Sequence, residues 1–377
     1  MNQRFAVSVI AASLVLACAG IAQETRYPDV IDAKPMFRVM PNHATPNQAA
    51  PNPGKLAARA PATSLTQWNG SFKDLTGKTV TYTMVGTDPT KTNVTTTIPV
   101  YIIPVRLKYG LKNGNRSFDP KLTVLGNGKT VINNIIASPI FKNLDFTQGS
   151  TDLGTTQYID AFQRGNFWSS VATNSSYHVL LGTPVVLPEK TITVPVSKGA
   201  VYTNPFTGSG VIGTYDINAF DAKLQAWMAL QLKINPGVLP IFITYDIFLT
   251  EGGGCCIGGY HSATGSQPGG QTYSHATYVD SVGSFSQDVS ALSHEIGEWM
   301  DDPFVDNNVH CNDNNFLEVG DPLEGNSNYG GYPYSLGGFT YNLQSLVFLG
   351  YFGAPKATSV HSWLSFQNDE ASVCPGQ

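Results

Sequence analysis

One short segment, ALSHEIGEWMDDP at residues 291–303, combines residue types that can bind a metal ion and accept a proton from a water molecule at that ion. His294 and Glu298 are four residues apart, so on a helix they point in the same direction and can bind one ion. Glu295 is turned by roughly 100° from His294, so it can reach a water at that ion without binding the ion itself. The spacing predicts a metal site in which His294 and Glu298 are ligands and Glu295 is the catalytic base.

The apolar residues of the same segment have the spacing of an amphipathic helix. They form a single stripe on a helical surface, made of Val289, Leu292, Ile296, Trp299 and Met300. We expect a helix over about residues 286–302, with Ser286 or Asp288 as its N-cap and Pro303 just beyond its end. The two predicted ligands lie on the side opposite the stripe.

Twenty residues after Glu298, the segment NFLEVGDPLEG carries Glu318 and, three residues later, Asp321. This layout resembles the gluzincin metallopeptidases, in which HExxH is followed about twenty residues on by a Glu ligand and then by an Asp that orients a ligand. The resemblance implies a zincin-like fold, Glu318 as the third metal ligand, Asp321 as the orienting residue, and peptide hydrolysis. It covers about 30 residues and departs at Glu298, where the family has a second His.

The carboxylate of Glu298 changes the chemistry that we expect. Two carboxylates and one imidazole cancel the charge of a divalent ion, so a bound water should be less acidic than at a site with two His and one Glu. Oxygen ligands also select less strongly for zinc. We expect zinc, with manganese or iron as alternatives, and a protein or peptide substrate.

Four segments also resemble the Exordium, or phosphate-induced, proteins of plant cell walls. They are CCIGGYHSATG, EWMDDPFVDN, LEVGDPLEG and NYGGYPYSLGGFTYN. This more distant resemblance concerns the fold more than an activity, because many members of that family lack the His-Glu pair. The alternative function is therefore a non-catalytic extracellular or cell-wall-associated protein with a degenerate site.

Other polar residues compete for roles in the site. His261 and His275 are expected to be structural and hydrogen-bonded to backbone, and His310 is the alternative to Glu318 as third ligand. The loop DNNVHCNDNN offers oxygen ligands for calcium but lacks EF-hand spacing, so a solvated turn is favoured. A tyrosine could donate a hydrogen bond to an oxyanion, and the candidates are Tyr329, Tyr332, Tyr334 and Tyr341.

The N-terminal residues predict export. Residues 1–22 contain one early Arg, an apolar run too short to span a membrane, and small residues suited to cleavage, as in a signal peptide. Lipid attachment at Cys18 is the less favoured alternative, because the large Leu16 stands where such signals have a small residue. No other segment is expected to span a membrane. A net charge of −5 without a Lys/Arg cluster argues against nucleic acid as a partner.

Four cysteines remain after removal of the predicted signal peptide: Cys255, Cys256, Cys311 and Cys374. In an oxidising compartment an even number favours disulfides, and an adjacent pair lacks the spacing of a thiolate metal site. We expect bonds from the Cys255/Cys256 pair to Cys311 and Cys374, which would hold the C-terminal region onto the body. A bond between the two neighbours is less favoured.

The elements that must position the site alternate between strand and helix patterns. Residues 23–64 have no periodicity and are expected to be a linker or pro-segment. Residues 65–377 should form one zincin-like domain, with a mixed-sheet part at 65–285 and the metal-site helix and C-terminal part at 286–377. Strand patterns occupy 68–108, 177–187, 191–196 and 239–249, and helical patterns occupy 155–170 and 217–234. The order predicts an α+β fold with a mixed sheet.

Overall fold

The computed structural model describes residues 27–29, 33–43, 64–73, 77–308, 316–321, 331–348, 358–362 and 365. The predicted signal peptide lies outside the described residues, and so does Cys18. The same holds for His310, Tyr329, Cys311 and Cys374.

These residues form nineteen β-strands and five α-helices. The first ten strands are β1 Ala33–Val39, β2 Gln67–Lys73, β3 Thr79–Val85, β4 Thr95–Ile98, β5 Val100–Tyr109, β6 Ser117–Phe118, β7 Leu144–Gln148, β8 Thr151–Thr156, β9 His178–Leu181 and β10 Val185–Val186. The others are β11 Lys190–Val194, β12 Val201–Thr203, β13 Val211–Asp216, β14 Leu239–Tyr245, β15 Ile247–Glu251, β16 Gly254–Thr264, β17 Gln271–Tyr278, β18 Gly331–Leu336 and β19 Phe339–Gln344. The helices are α1 Val131–Ile136, α2 Tyr158–Asn166, α3 Trp168–Val171, α4 Ile217–Leu230 and α5 Ser290–Asp301.

Eleven strands form one large mixed sheet. Its main order is β10-β5-β14-β17-β16-β15-β13-β12, while β1 pairs with β16, and both β6 and β11 pair with β5. The pairs β5–β14 and β14–β17 are parallel, whereas β15–β16 and β16–β17 are antiparallel. The prediction of an α+β fold with a mixed sheet is confirmed. Four smaller two-stranded sheets are β2–β3, β4–β9, β7–β8 and β18–β19.

Helices cover both faces of the large sheet. Successive side chains of a strand point to opposite faces, and in β14 the side chain of Phe242 belongs to one apolar core while those of Ile241 and Ile243 belong to the other. Helix α4 packs on the face of Phe242, and α5 packs on the opposite face against β16 and β17. Among the described helices, none has both the length and the apolar character needed to cross a bilayer.

Helix α5 begins later than its sequence suggested. Ser286 and Asp288, the two expected N-caps, both have positive φ angles, 59° and 45°, which a right-handed helix does not accommodate. They form the turn before the helix instead, and Val289 takes the N-cap position. Every residue from Ala291 to Asp301 is buried, so the side of α5 opposite the apolar stripe faces protein rather than water.

Two strands form where the residue pattern predicts none. Residues 33–39, expected in the linker or pro-segment, form β1 and pair in parallel with β16, with Ala33 opposite Cys255 and Arg38 opposite Tyr260. Strand β16 itself contains the Gly-rich segment that we expected to be a loop. Strand β1 depends on a partner more than 200 residues away, and β16 is held between its sequence neighbours β15 and β17, so in both cases pairing rather than local periodicity determines the strand.

The disulfide also differs from the expected arrangement. Cys255 is bonded to Cys256, its neighbour in β16, instead of to Cys311 or Cys374. Both sulfur-bearing side chains are buried in the apolar core on the α5 side of the sheet, so the bond lies within the body of the fold. The expected tie to the C-terminal region involves residues outside the described part of the chain.

Candidate metal centre

Helix α5 brings the first two predicted ligands together as its geometry requires. His294 and Glu298 are one turn apart, and His294 Nε2 lies 2.8 Å from Glu298 Oε1. Neither side chain has any exposed surface, and the same is true of Glu295. Since α5 packs against β16, β17 and β19, these polar residues are enclosed between the helix and its neighbours.

Strand β16 adds a histidine that the sequence analysis had considered structural. His261 Nδ1 lies 3.6 Å from Glu298 Oε2 and 3.7 Å from Glu295 Oε2. Its other ring nitrogen, Nε2, is 3.1 Å from the backbone carbonyl oxygen of Asp302. His261 therefore has the expected backbone hydrogen bond and also faces the site. The local sequence around His261 does not indicate this position, because His261 reaches the site through the packing of β16 against α5.

The segment 316–321 closes another side of the cluster. Asp321 Oδ1 lies 3.5 Å from His294 Nε2, and the backbone N–H of Gly320 donates to Glu298 Oε1 at 3.2 Å. A Cβ atom on Gly320 would lie 2.0 Å from Nδ1 of His294, so only glycine allows this close approach. Gly259 of β16 has a similar role, since a Cβ there would lie 2.5 Å from a carboxylate oxygen of Glu295.

Two groups of ligand atoms result, and they share one residue. His294, Glu298 and Asp321 form the first group, and His261, Glu295 and Glu298 form the second; within each group the ligand atoms lie within 4.8 Å of one another. Glu318, expected as the third ligand, belongs to neither group, but it is buried, and burial together with the nearby charge of Glu298 raises the pKa of its carboxyl group.

The structure therefore places Asp321 differently from the orienting role that the resemblance implied. An orienting Asp would contact the ring nitrogen that does not bind the metal. Here Asp321 approaches Nε2, the same nitrogen that faces Glu298, while Gly320 packs against Nδ1. In this position the Asp321 carboxylate is directed at the same point as the two helical side chains.

The polar atoms of the cluster fit a cation. Nine buried side-chain nitrogen and oxygen atoms in it form no hydrogen bond of normal geometry among the described residues, although some of them, such as Nε2 of His294 beside Glu298, have an ion-pair contact. They come from His261, His294, Glu295, Glu298, Glu318 and Asp321. Buried polar atoms without partners cost free energy, and they mark sites where a ligand or ion supplies the missing interaction. A set of imidazole nitrogens and carboxylate oxygens suits zinc, manganese or iron.

The groups in the cluster strongly perturb one another's pKa values. Burial raises the pKa of Glu295 to about 8. Burial would also raise the pKa of Glu298, but the neighbouring imidazoles, His294 foremost, lower it below its ordinary value. Burial opposes protonation of His261, yet the carboxylates of Glu295 and Glu298 raise its pKa to about 10. Burial and then the charges of Glu298 and Asp321 raise the pKa of Glu318 well above its ordinary value. Such mutual perturbation is typical of functional sites.

Strand β1 covers one side of the cluster. The ring of Phe37 stacks on the ring of His294, with centroids 3.6 Å apart and planes inclined by 24°. Phe37 is itself buried and also packs against Phe285. Among His294, Glu295, Glu298 and Asp321, only Asp321 reaches solvent, with 29% of its side chain exposed.

Other residues considered from the sequence lie outside the cluster. His275 is on β17, packs edge-on against Phe220 and contacts Thr244, and burial lowers its pKa to about 3. The hydroxyl of Tyr341 donates to Asn134, and that of Tyr334 donates to the backbone of Asp145. Tyr332 stacks on Tyr158. Most of the proposed calcium loop, residues 309–315, lies outside the described residues.

Comparison with protein-family models, with curated proteins and with solved structures finds no match.

Proposed function

We propose that this protein is an exported, metal-dependent peptidase. The observation that carries the proposal is the convergence of His294, Glu298 and Asp321 on one buried point, with Glu295 beside them and with many polar atoms unpartnered. Convergent imidazole and carboxylate groups with perturbed pKa values support a metal-assisted hydrolytic site. In the sequence, His294 is followed at once by Glu295 and one helical turn later by Glu298, and the resemblance of this order to that of the gluzincins adds the expectation that the substrate is a peptide.

The first group of residues would hold the ion through His294 Nε2, Glu298 Oε1 and Asp321 Oδ1. Glu318, whose pKa is raised by burial and by the nearby charge of Glu298, would bind as a further ligand or fix the orientation of that carboxylate. A divalent ion in this position, zinc or alternatively manganese or iron, supplies polarisation of the scissile carbonyl and increases the acidity of water.

Glu295 would act as the general base. It follows His294 directly in α5 and is turned away from the two helical ligands, with its side chain packed against Gly259. Its carboxylate would accept a proton from the attacking water and pass it to the leaving amine nitrogen. A carboxyl group whose pKa is raised to about 8 by burial can both take up and release a proton near neutral pH.

A specific observation favours a second candidate, an extracellular protein in which the ion has a structural role. His261, His294, Glu295 and Glu298 have no exposed surface, and Phe37 stacks directly on His294. A peptide would reach the ion either by displacing β1 or from the side of Asp321. If neither route opens, the bound ion would stabilise the fold without turning over a substrate.

Replacement of Glu295 by glutamine separates the two candidates. Glu295→Gln keeps the shape of the side chain and removes its ability to accept a proton, so the peptidase proposal predicts a loss of turnover of roughly 10²- to 10⁴-fold. The matched control is Glu251→Gln, the same chemical change at a half-exposed carboxylate on β15 that pairs with Arg38. The control should keep wild-type turnover.

The assay is cleavage of a broad peptide library by purified, metal-loaded protein, with metal content measured on each sample. Turnover lost in Glu295→Gln alone, with the ion at His294 retained, supports the peptidase. Wild-type protein that is inert with metal bound supports the structural role. Equal and substantial turnover in wild type and in Glu295→Gln places the chemistry elsewhere in the chain.

A further inference from the structure

The two groups of ligand atoms meet at a single carboxylate. Glu298 Oε1 faces His294 and Oε2 faces His261, so each oxygen belongs to a different group. We propose that the cluster binds two divalent ions bridged by Glu298. The first ion is held by His294 and Asp321, and the second by His261 and Glu295. This second metal site goes beyond the proposed function and does not depend on peptide hydrolysis; it gives Glu295 the role of a ligand, in place of the general-base role that the proposed function gives it.

The hydrogen bonding of His261 supports a ligand role for its Nδ1 atom. Its Nε2 faces the backbone carbonyl of Asp302, and because a carbonyl can only accept, Nε2 carries the ring proton. In the neutral ring the lone pair on Nδ1 then points at the carboxylates of Glu295 and Glu298. Fixing one nitrogen by a carbonyl and leaving the other for the ion is the usual arrangement of a metal-binding histidine.

The distances agree with an ion between these groups. His261 Nδ1 lies 3.7 Å from Glu295 Oε2 and 3.6 Å from Glu298 Oε2. A charge-assisted hydrogen bond between a ring N–H and a carboxylate is about 2.7–2.9 Å long. The three atoms are thus too far apart for direct hydrogen bonds, whereas ligand atoms at about 2.0–2.2 Å from one ion are separated by more than 3 Å.

The charge of the cluster also matches two ions. Four carboxyl groups, from Glu295, Glu298, Glu318 and Asp321, surround the two imidazoles, and among the described residues no Lys or Arg forms an ion pair with any of them. One divalent ion balances two carboxylates. Metal binding requires ionised carboxyl groups and neutral imidazoles, and in that state two divalent ions balance all four carboxylates, which removes the cost of burying net negative charge.

The ligand set indicates which ions to test. Each proposed ion has one imidazole nitrogen and otherwise carboxylate oxygens, a set that suits manganese and ferrous iron at least as well as zinc. Mn²⁺ is the useful probe because it is paramagnetic. Two carboxylate-bridged Mn²⁺ ions about 3.5–4 Å apart couple magnetically, whereas an isolated ion has a simple spectrum.

The test is a titration of chelator-treated, full-length protein with MnCl₂, followed by removal of free ions, elemental analysis and electron paramagnetic resonance. Wild-type protein should bind two Mn²⁺ per chain with a coupled spectrum. His261→Ala should bind one Mn²⁺ with the spectrum of an isolated ion, because only the second site loses its nitrogen ligand. The control is His275→Ala, another fully buried histidine on the adjacent strand and outside the cluster, which should keep both ions.

One Mn²⁺ per wild-type chain at saturation would overturn the proposal, and this measurement needs no variant to fold. Two ions with uncoupled spectra would overturn the Glu298 bridge, and two ions in His261→Ala would remove that residue from the site. Because no substrate is present, the result is independent of peptidase activity. An active enzyme with a single ion would retain the proposed function and end this inference, while an inert protein with two coupled ions would do the reverse.

Discussion

Gly320→Ala tests whether close backbone packing positions the metal ligands. A Cβ at this position would lie 2.0 Å from Nδ1 and 2.2 Å from Cε1 of His294, whereas ordinary contacts begin near 3.4 Å. The imidazole or the 316–321 segment must therefore move by about 1.4 Å. Metal–ligand distances tolerate only about 0.2 Å, so the displacement should detach His294 or Asp321 from the ion.

We expect Gly320→Ala to weaken metal binding by roughly 10- to 100-fold, about 1.4–2.7 kcal/mol, with a cost of about 1–3 kcal/mol in the stability of the metal-free protein from overpacking. The matched control is Gly297→Ala in α5, whose Cβ would lie 2.3 Å from Leu346 and touches no ligand. It should lose some stability but keep its metal affinity. Affinity is measured by competition with a chelator, and stability by denaturant unfolding. Unchanged affinity in Gly320→Ala, or an equal loss in both variants, would refute the reasoning.

Two further predictions concern the surroundings of the cluster. Phe37→Ala removes the ring stacked on His294, so a chelator should strip the ion faster than from wild type. Phe285→Ala removes a ring that packs against Phe37, Phe206 and Phe248 but leaves the Phe37 ring on His294, so it should not show this effect; equal stripping rates in the two variants would show that β1 does not cover the site. Burial raises the pKa of Asp288 to about 7, above the value near 3.9 in an unfolded chain, so the folded state holds this proton more tightly and stability falls as pH rises from about 4 to 7. Asp288→Asn lacks this contribution. The free energy of unfolding of wild type minus that of the variant should therefore fall, as pH rises through that window, by up to roughly 1.4 kcal/mol per pH unit. A difference that stays constant across the window would contradict the shift.

The sequence predicted those parts of the site that depend on local geometry. The one-turn separation of His294 and Glu298 is fixed by the helix, so their convergence followed from spacing alone. The mixed sheet followed in the same way from the alternation of strand and helix patterns. The sequence also predicted that His294 and Glu298 lie on the side of α5 opposite the apolar stripe, but it did not predict that this side is fully buried. Its polar residues are buried because they surround one another rather than water.

The missing parts come from strand pairing and from packing between segments that are apart in the sequence, such as β16 against α5. His261 reaches the cluster through β16, whose glycines gave no strand pattern, and Phe37 reaches it through β1, which pairs with residues more than 200 positions away. The turn that delays α5 depends on positive φ angles at Ser286 and Asp288, residues that are equally good N-caps. These features depend on tertiary contacts, which residue types and local spacing do not contain.

The most direct test of the account is the metal content of the protein purified without chelators, compared with that of Glu298→Ala. Glu298 is the residue shared by both groups of ligand atoms, so its removal should abolish binding whether one ion or two are present. Elemental analysis should find at least about one divalent ion per wild-type chain and almost none in Glu298→Ala, with Glu251→Ala equal to wild type. Wild-type protein that stays metal-free in the presence of zinc, manganese and iron, or full occupancy in Glu298→Ala, would contradict the central claim.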